Sequence, residues 1–222
     1  MAENKKVTKK IVKKENQFEK NISNFLTFGK WETKSIQIQD PGLKRYINLD
    51  PIHVPSTNGR FTEKQFWKSK KPILERLMIR LFVTGHAGKK HKRTSGRFSG
   101  KKANTYNVML NTLNLIEKKT KQNPIEAVIR AIEAAAPREG ITTIEYGGVR
   151  YPKSVDLSPQ RRIDLALRWL TQGAFQKTAG TKGRKKIHET LADQIIATMN
   201  FDQKSVAFQK KFDLERQAKS AR

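Results

Sequence analysis

Few of the side chains that commonly do chemistry stand here in working arrangements. His53, His86, His91 and His188 are scattered, and none sits in an HxxxH or HExxH spacing that would bring two imidazoles to one metal. The chain has no cysteine, which removes disulfides, thiolate metal sites and thiol nucleophiles together. No P-loop, GxGxxG or GxSxG segment occurs. Acids are scarce where basicity peaks, so paired carboxylates for acid–base or metal work are missing as well. The expectation is a non-enzyme with no catalytic residue, metal, cofactor or small-molecule substrate.

Positive charge is what the sequence concentrates. Across 222 residues, 46 Lys+Arg face 20 Asp+Glu, a formal net charge of +26. A globule so charged repels itself unless an anion neutralises it. Nucleic acid, whose closely spaced phosphates release counterions on binding, is the expected partner ahead of an acidic membrane surface. The charge is also grouped: no acid occurs from Arg76 to Ile116, nor from Leu165 to His188. Solvated faces normally mix signs, so grouped cations read as a binding footprint.

Four clusters are candidates for that footprint. Residues 86–102 hold Lys89, Lys90, Lys92, Arg93, Lys101 and Lys102, with a flexible linker as the competing reading. Lys182, Arg184, Lys185 and Lys186 form a second group. Ser158 and Pro159 read as the cap and first position of a helix whose first turn carries Arg161 and Arg162, where the helix dipole disfavours cations. Free backbone N–H groups beside two guanidiniums would hold a phosphate; the bland alternative is a pair of surface arginines screened by Asp164. Arg168-Trp169 follows on that helix, the Trp either stacking on a base or filling the core. Last, Tyr146, Arg150, Tyr151 and Lys153 interleave aromatic rings with cations, a pattern suited to unpaired bases and their phosphates.

The elements that must position these residues are mostly helical. Ile73, Leu74, Leu77, Met78, Leu81 and Phe82 recur at helical spacing until Gly85. Tyr106, Met109, Leu110, Leu113 and Ile116 share one face of a second helix. Asn123 caps a third, with Pro124 at its first position and Glu126 placed for a capping box, before Pro137 stops it. A fourth uses Ile163, Ala166, Leu167 and Leu170, and a fifth Ile187, Leu191, Ile195 and Met199. A sixth, from about Gln203, would turn Val206, Phe208, Phe212 and Ala218 inward. Between the third and fourth, 141–146, Gly147-Gly148 and 149–157 read as a hairpin on a two-residue turn. Neither face alternates cleanly and Pro152 bars a central strand, so this ribbon should project as an arm. The fold class expected is mainly α, a six-helix bundle with a two-stranded β-arm.

Organisation follows from the same pattern. Residues 1–24 read as a mobile basic tail. Residues 25–71, with Phe25, Phe28, Trp31, Tyr46, Phe61, Phe66 and Trp67 among turn signals, read as an extension that drapes over something without a core of its own. Residues 72–222 are expected to form a helical RNA-binding domain. No apolar run approaches the roughly 18 residues of a membrane span, and the lysine-rich start lacks a signal peptide's apolar stretch. An intracellular, soluble protein is expected.

The motifs also carry a resemblance. Pro72-Ile73-Leu74-Glu75-Arg76-Leu77, Gly100-Lys101-Lys102, Asn123-Pro124, Ala136-Pro137-Arg138-Glu139, Tyr146-Gly147-Gly148, Tyr151-Pro152, Val155-Asp156-Leu157-Ser158-Pro159-Gln160-Arg161-Arg162, Arg168-Trp169 and the closing Leu214 to Arg222 follow one another in an order similar to the universal small-subunit ribosomal protein seven family. Upstream, Phe28-Gly29-Lys30-Trp31 and Arg60-Phe61 resemble its archaeal and eukaryotic branch, whose eukaryotic member is small-subunit protein five. The resemblance implies a six-helix bundle with a protruding ribbon, in the cytoplasmic small ribosomal subunit. It further implies primary binding to the 3′ major domain of rRNA, nucleation of head assembly, and contacts with neighbouring small-subunit proteins. By position, Lys101, Lys102, Arg138, Arg161, Arg162 and Arg168 would contact rRNA. Tyr146, Gly147, Gly148, Val149, Arg150 and Tyr151 would form the arm facing tRNA and mRNA at the exit region. The chain departs from the family in about eleven extra residues between Gly85 and Gly100. Two other classes stay open at this point: an architectural DNA-binding protein gripping with its β-arm, and an RNA-modifying enzyme.

Overall fold

Asn123 and Pro124 show how locally the helices are specified. The Asn123 Oδ1 accepts the Ile125 N–H at 3.1 Å, and Pro124 occupies the first helical position, where its missing N–H costs nothing. The expected capping box does not close, because Glu126 instead accepts from Arg130 one turn on at 2.6 Å. This computed structural model describes residues 26–85, 98–181 and 183–222.

Among the described residues the order is α1 (Pro41–Lys44), a 3-10 turn at Trp67–Lys70, α2 (Ile73–Leu81), α3 (Lys102–Thr120) and α4 (Pro124–Ala135). Then come β1 (Glu139–Tyr146), β2 (Val149–Asp156), α5 (Pro159–Gly180), α6 (Ile187–Met199) and α7 (Val206–Ser220). The mainly helical class with a two-stranded antiparallel arm is thus observed.

The bundle is organised around α4. Ile125, Val128, Ile129 and Ile132 are fully buried, and Ala127, Ala131, Ala134 and Ala135 are buried with them. Those small side chains on the remaining faces let α3, α5, α6 and α7 all pack against it. Such burial on nearly every side makes α4 a core element, beyond the single apolar face the periodicity predicts. Met109, Leu113 and Ile116 of α3, Ile163, Ala166, Leu167 and Leu170 of α5, and Leu191 and Ile195 of α6 complete the core. Trp169 is buried among them, so it fills the core. On α7 the expected face holds at Ala218, is half-buried at Val206 and Phe208, and fails at Phe212, which is 59% exposed; the other buried residue is Ala207. That helix rests on the bundle by one narrow edge and begins at Val206, after a Ser205 cap.

The aromatic segment drapes over the bundle itself. Phe28, Trp31, Ile36, Leu43 and Ile47 are buried in the same cluster as the helices. The Trp31 Nε1–H donates to Glu117 on α3 at 3.2 Å, and the Phe28 ring lies 5.0 Å from Tyr106. Further on, the Gln39 and Asp40 N–H groups share Glu133 Oε1 on α4.

The hairpin leaves this body. Gly147 and Gly148 both have positive φ, the geometry of the primed turn that matches strand twist. Pairing runs from Tyr146 opposite Val149 to Glu139 opposite Asp156, so β1 starts two residues earlier, and β2 ends one residue earlier, than the sequence suggests. Every residue from Ile141 to Lys153 is exposed. Only the base is held: the Leu157 N–H donates to Arg138 O, the Ser154 N–H donates to Ala221 O, and Arg222 pairs with Glu139.

Helix packing is close enough at Gly173 to test. A Cβ there would sit 2.7 Å from Gln194 Oε1 and 3.0 Å from Val206 Cβ, and Gln194 Oε1 is held by the Val206 N–H. Alanine's higher helix propensity is worth about 1 kcal/mol. Even so, Gly173→Ala should lower stability by about 1–3 kcal/mol through overpacking, measured by urea unfolding.

Candidate nucleic-acid interface

The expected cations divide by what holds them. Lys101, Arg161, Arg168, Arg184, Lys185 and Lys186 are exposed. Lys185 lies 3.5 Å from Asp193, a carboxylate that Lys119 holds more tightly at 2.6 Å. Arg138 is exposed too, its backbone held by Glu215 at the N–H and by the Leu157 N–H at the carbonyl. Lys89, Lys90, Lys92, Arg93 and Lys182 lie outside the described residues.

Arg161 and Arg162, read together from sequence as a phosphate site, point to different environments. The Arg162 side chain is 11% exposed, lies 2.7 Å from Asp40 and donates through Nε to Pro137 O at 3.0 Å. Asp40 in turn caps α1 through the Gly42 N–H. Burial pushes the Asp40 carboxyl up, but the Arg162 hydrogen bond and the Gly42 N–H outweigh it and hold it below its ordinary value. The dipole conflict at the start of α5 is therefore relieved for Arg162 by a carboxylate 122 residues away. Ser158 occupies the cap position but its side chain makes no cap hydrogen bond. The first-turn N–H groups beside exposed Arg161 keep their anion-binding capacity.

Lys102 is also turned to the protein. Its Nζ donates to Ser56 Oγ and lies 3.5 Å from Glu75, a buried carboxylate that accepts both the N–H and the hydroxyl of Thr57. A third junction centres on Asp164, which faces Lys68 at 2.5 Å, Arg76 at 3.2 Å and Arg80 at 3.5 Å. Burial raises the Asp164 carboxyl, yet the hydrogen bond and charge of Lys68, with Arg76, hold it low. Sequence reasoning missed the cations here. The run Trp67-Lys68-Ser69-Lys70-Lys71 was the available signal, read only for its aromatics.

The register sorts the arm. Ile144, Tyr146, Val149, Tyr151 and Lys153 share one face, and Arg150 lies on the other, 3.4 Å from Glu145. Tyr146 is 81% exposed. Among the described residues no group of three or more His, Asp or Glu could hold a metal, and no helix is long and apolar enough to cross a membrane.

Residues 43–222, from α1 to the last residue, match the family described as Ribosomal protein S7p/S5e. The chain belongs to the ribosomal protein S7p/S5e family. It is similar to the small ribosomal subunit protein uS7 of Nanoarchaeum equitans, 50% identical over 198 residues that cover 88% of this chain and 98% of that one. The uS7 proteins of Methanothermobacter thermautotrophicus and Archaeoglobus fulgidus are 43% and 42% identical, over 88% and 89% of this chain and 98% and 95% of theirs. For this S7p/S5e chain, the S7p/S5e match begins at Leu43, so the Phe28 and Trp31 anchors precede it.

The two arginines should behave differently when removed. Arg162→Ala should cost about 1–3 kcal/mol in urea unfolding, because it strips the donors from Asp40 Oδ2 and the Pro137 carbonyl. Arg161→Ala should stay within about 0.5 kcal/mol of the parent. Acid offers a second check. Asp40, Asp164 and Asp193 have folded pKa values below their unfolded ones. Their stabilisation is therefore complete above the ordinary carboxylate value and is lost as pH falls through it toward the lower folded values. The stability gap between the parent and Asp164→Asn should narrow as pH drops below about 4.

Proposed function

We propose that this chain is a structural, non-enzymatic constituent of the small ribosomal subunit. It binds rRNA directly, as a primary binder of the 3′ major domain that nucleates head assembly, and carries its arm toward exit-site tRNA and the mRNA exit path. The observation that carries the reading is the sorting of charge on the family's fold. Carboxylates at the junctions are paired within the protein, while Lys101, Arg138, Arg161, Arg168, Arg184 and Lys186 present their charge outward. Such cations neutralise phosphates where rRNA helices meet and hold a fold that bare RNA populates poorly. The arm adds a flat aromatic face, with Tyr146 and Tyr151 on one side, suited to stacking and ribose contact. The name uS7 carried by the relatives supports the ribosomal part of this reading.

Binding of the full chain to a 3′ major domain rRNA fragment tests it. If roughly 6–10 phosphates are neutralised, affinity should fall about 10³–10⁵-fold between 50 and 200 mM salt, taking duplex DNA as the guide. A flat profile, or equal preference for duplex DNA at matched phosphate concentration, would overturn it. Shortening the arm to a tight turn below Thr143 should leave rRNA-fragment affinity unchanged while removing crosslinks to tRNA and mRNA in assembled subunits. Crosslinks that persist would remove the arm's assigned role.

A further inference from the structure

A groove of about 860 Å³ runs between residues 61–71, α2 and α5, and its lining is unusual in combining charge with bare aliphatic surface. Its cations are Lys64, Lys68, Lys71, Arg76, Arg80 and Arg168, and Asp164 is the single carboxylate among the lining residues. One carboxylate facing Lys68, Arg76 and Arg80 cannot neutralise all three, and the Arg168 side chain has no carboxylate partner among the described residues. Beside the groove, Lys210 donates to Gln172. Burial, and then the charge of Arg168, hold the Lys210 ammonium below its ordinary value, as expected where positive field is left uncompensated.

The apolar part argues for a particular form of RNA. Ile79 and Val83 line the groove while 39% and 46% exposed, and half-buried Phe61 lines it too, its ring 6.5 Å from Trp67. A duplex shows a protein its phosphates and riboses and hides base faces within the stack. An unpaired nucleotide shows both a charged backbone and a bare base face. The groove's volume is also that of a small-molecule pocket, about 300–1,000 Å³.

We propose that this groove holds one unpaired nucleotide of the small-subunit rRNA, with its base against Phe61, Ile79 and Val83 and its flanking phosphates on Lys64, Arg80 and Arg168. The proposal rests on the rRNA-binding reading above and adds where, and in what conformation, the RNA is held. The segment at 61–71 supplies one wall, so it converts a basic helix face into a pocket able to tell unpaired from paired RNA.

The test uses the full chain with three probes: the rRNA fragment, a short single-stranded oligoribonucleotide carrying 4-thiouridine, and a blunt RNA duplex of equal phosphate number. Ile79→Ser with Val83→Ser should weaken single-strand binding about five- to a hundred-fold, the range for one stacked base, and leave duplex binding unchanged. Both positions are exposed, and matching thermal midpoints would establish that the fold is kept. Lys64→Ala with Arg168→Ala should weaken both probes, more than the equal charge loss of Lys118→Ala with Lys121→Ala on the far end of α3. Photocrosslinks should fall on peptides containing Phe61 or Val83. Parent-like single-strand affinity in both groove variants, or crosslinks confined to other peptides, would overturn the groove while rRNA-fragment binding still upheld the wider reading. Failure of the parent chain to bind the rRNA fragment would remove both.

Discussion

The constraint on which the structure depends is the shortage of negative charge. Twenty carboxylates face 46 basic side chains in the sequence, and several of the described ones sit where segments meet. Asp40 ties the cap of α1 to α5 through Arg162, and Glu133 takes two backbone N–H groups from the same loop. Glu75 joins residues 56–57 to α3 through Lys102. Asp164 joins the 3-10 turn to α2 and α5. Glu117 holds Trp31, and Glu215 and Glu139 fix the base of the arm. A buried or half-buried pair of this kind adds little net stability over an apolar contact, but removing either partner is costly. These carboxylates therefore act as joints, with burial of the aliphatic core as the main driving force.

The consequence for function is direct. Carboxylates engaged at internal joints cannot screen the surface, so Lys101, Arg138, Arg161, Arg168 and Arg184 face solvent in a positive field. The same allocation that lets the aromatic segment lie down on the bundle makes the outside attractive to polyanions. Folding and binding are linked in this way: an RNA that neutralises the outer cations also relieves the repulsion that opposes compaction.

Much of this was legible in the order of residues, and the failures have physical causes. Helices α2 to α6 follow from apolar spacing and from Asn123-Pro124 and Ser158-Pro159, because helix starts are local decisions. The arm follows from Gly147-Gly148 for the same reason. Phe212 misled because a helix resting on one narrow edge buries small residues, Ala207 and Ala218, and leaves a large one outside. Arg162 was unreadable because its partner, Asp40, is distant in sequence, and no local rule reports such a pairing. The contact of Lys102 with Glu75 was unreadable for the same reason. The groove at Asp164 went unseen because its walls come from three separate stretches, and only packing brings them together.

Arginine-selective modification with a dicarbonyl reagent, mapped by mass spectrometry in the free chain and in its rRNA complex, tests the allocation of charge most directly. Arg161, Arg168 and Arg184 should react in the free chain and be protected by RNA. Arg76 and Arg162, committed to Asp164 and Asp40, should stay unreactive in both states. Equal labelling of Arg161, Arg168 and Arg184 with and without RNA, or ready labelling of Arg162 in the free fold, would contradict the account.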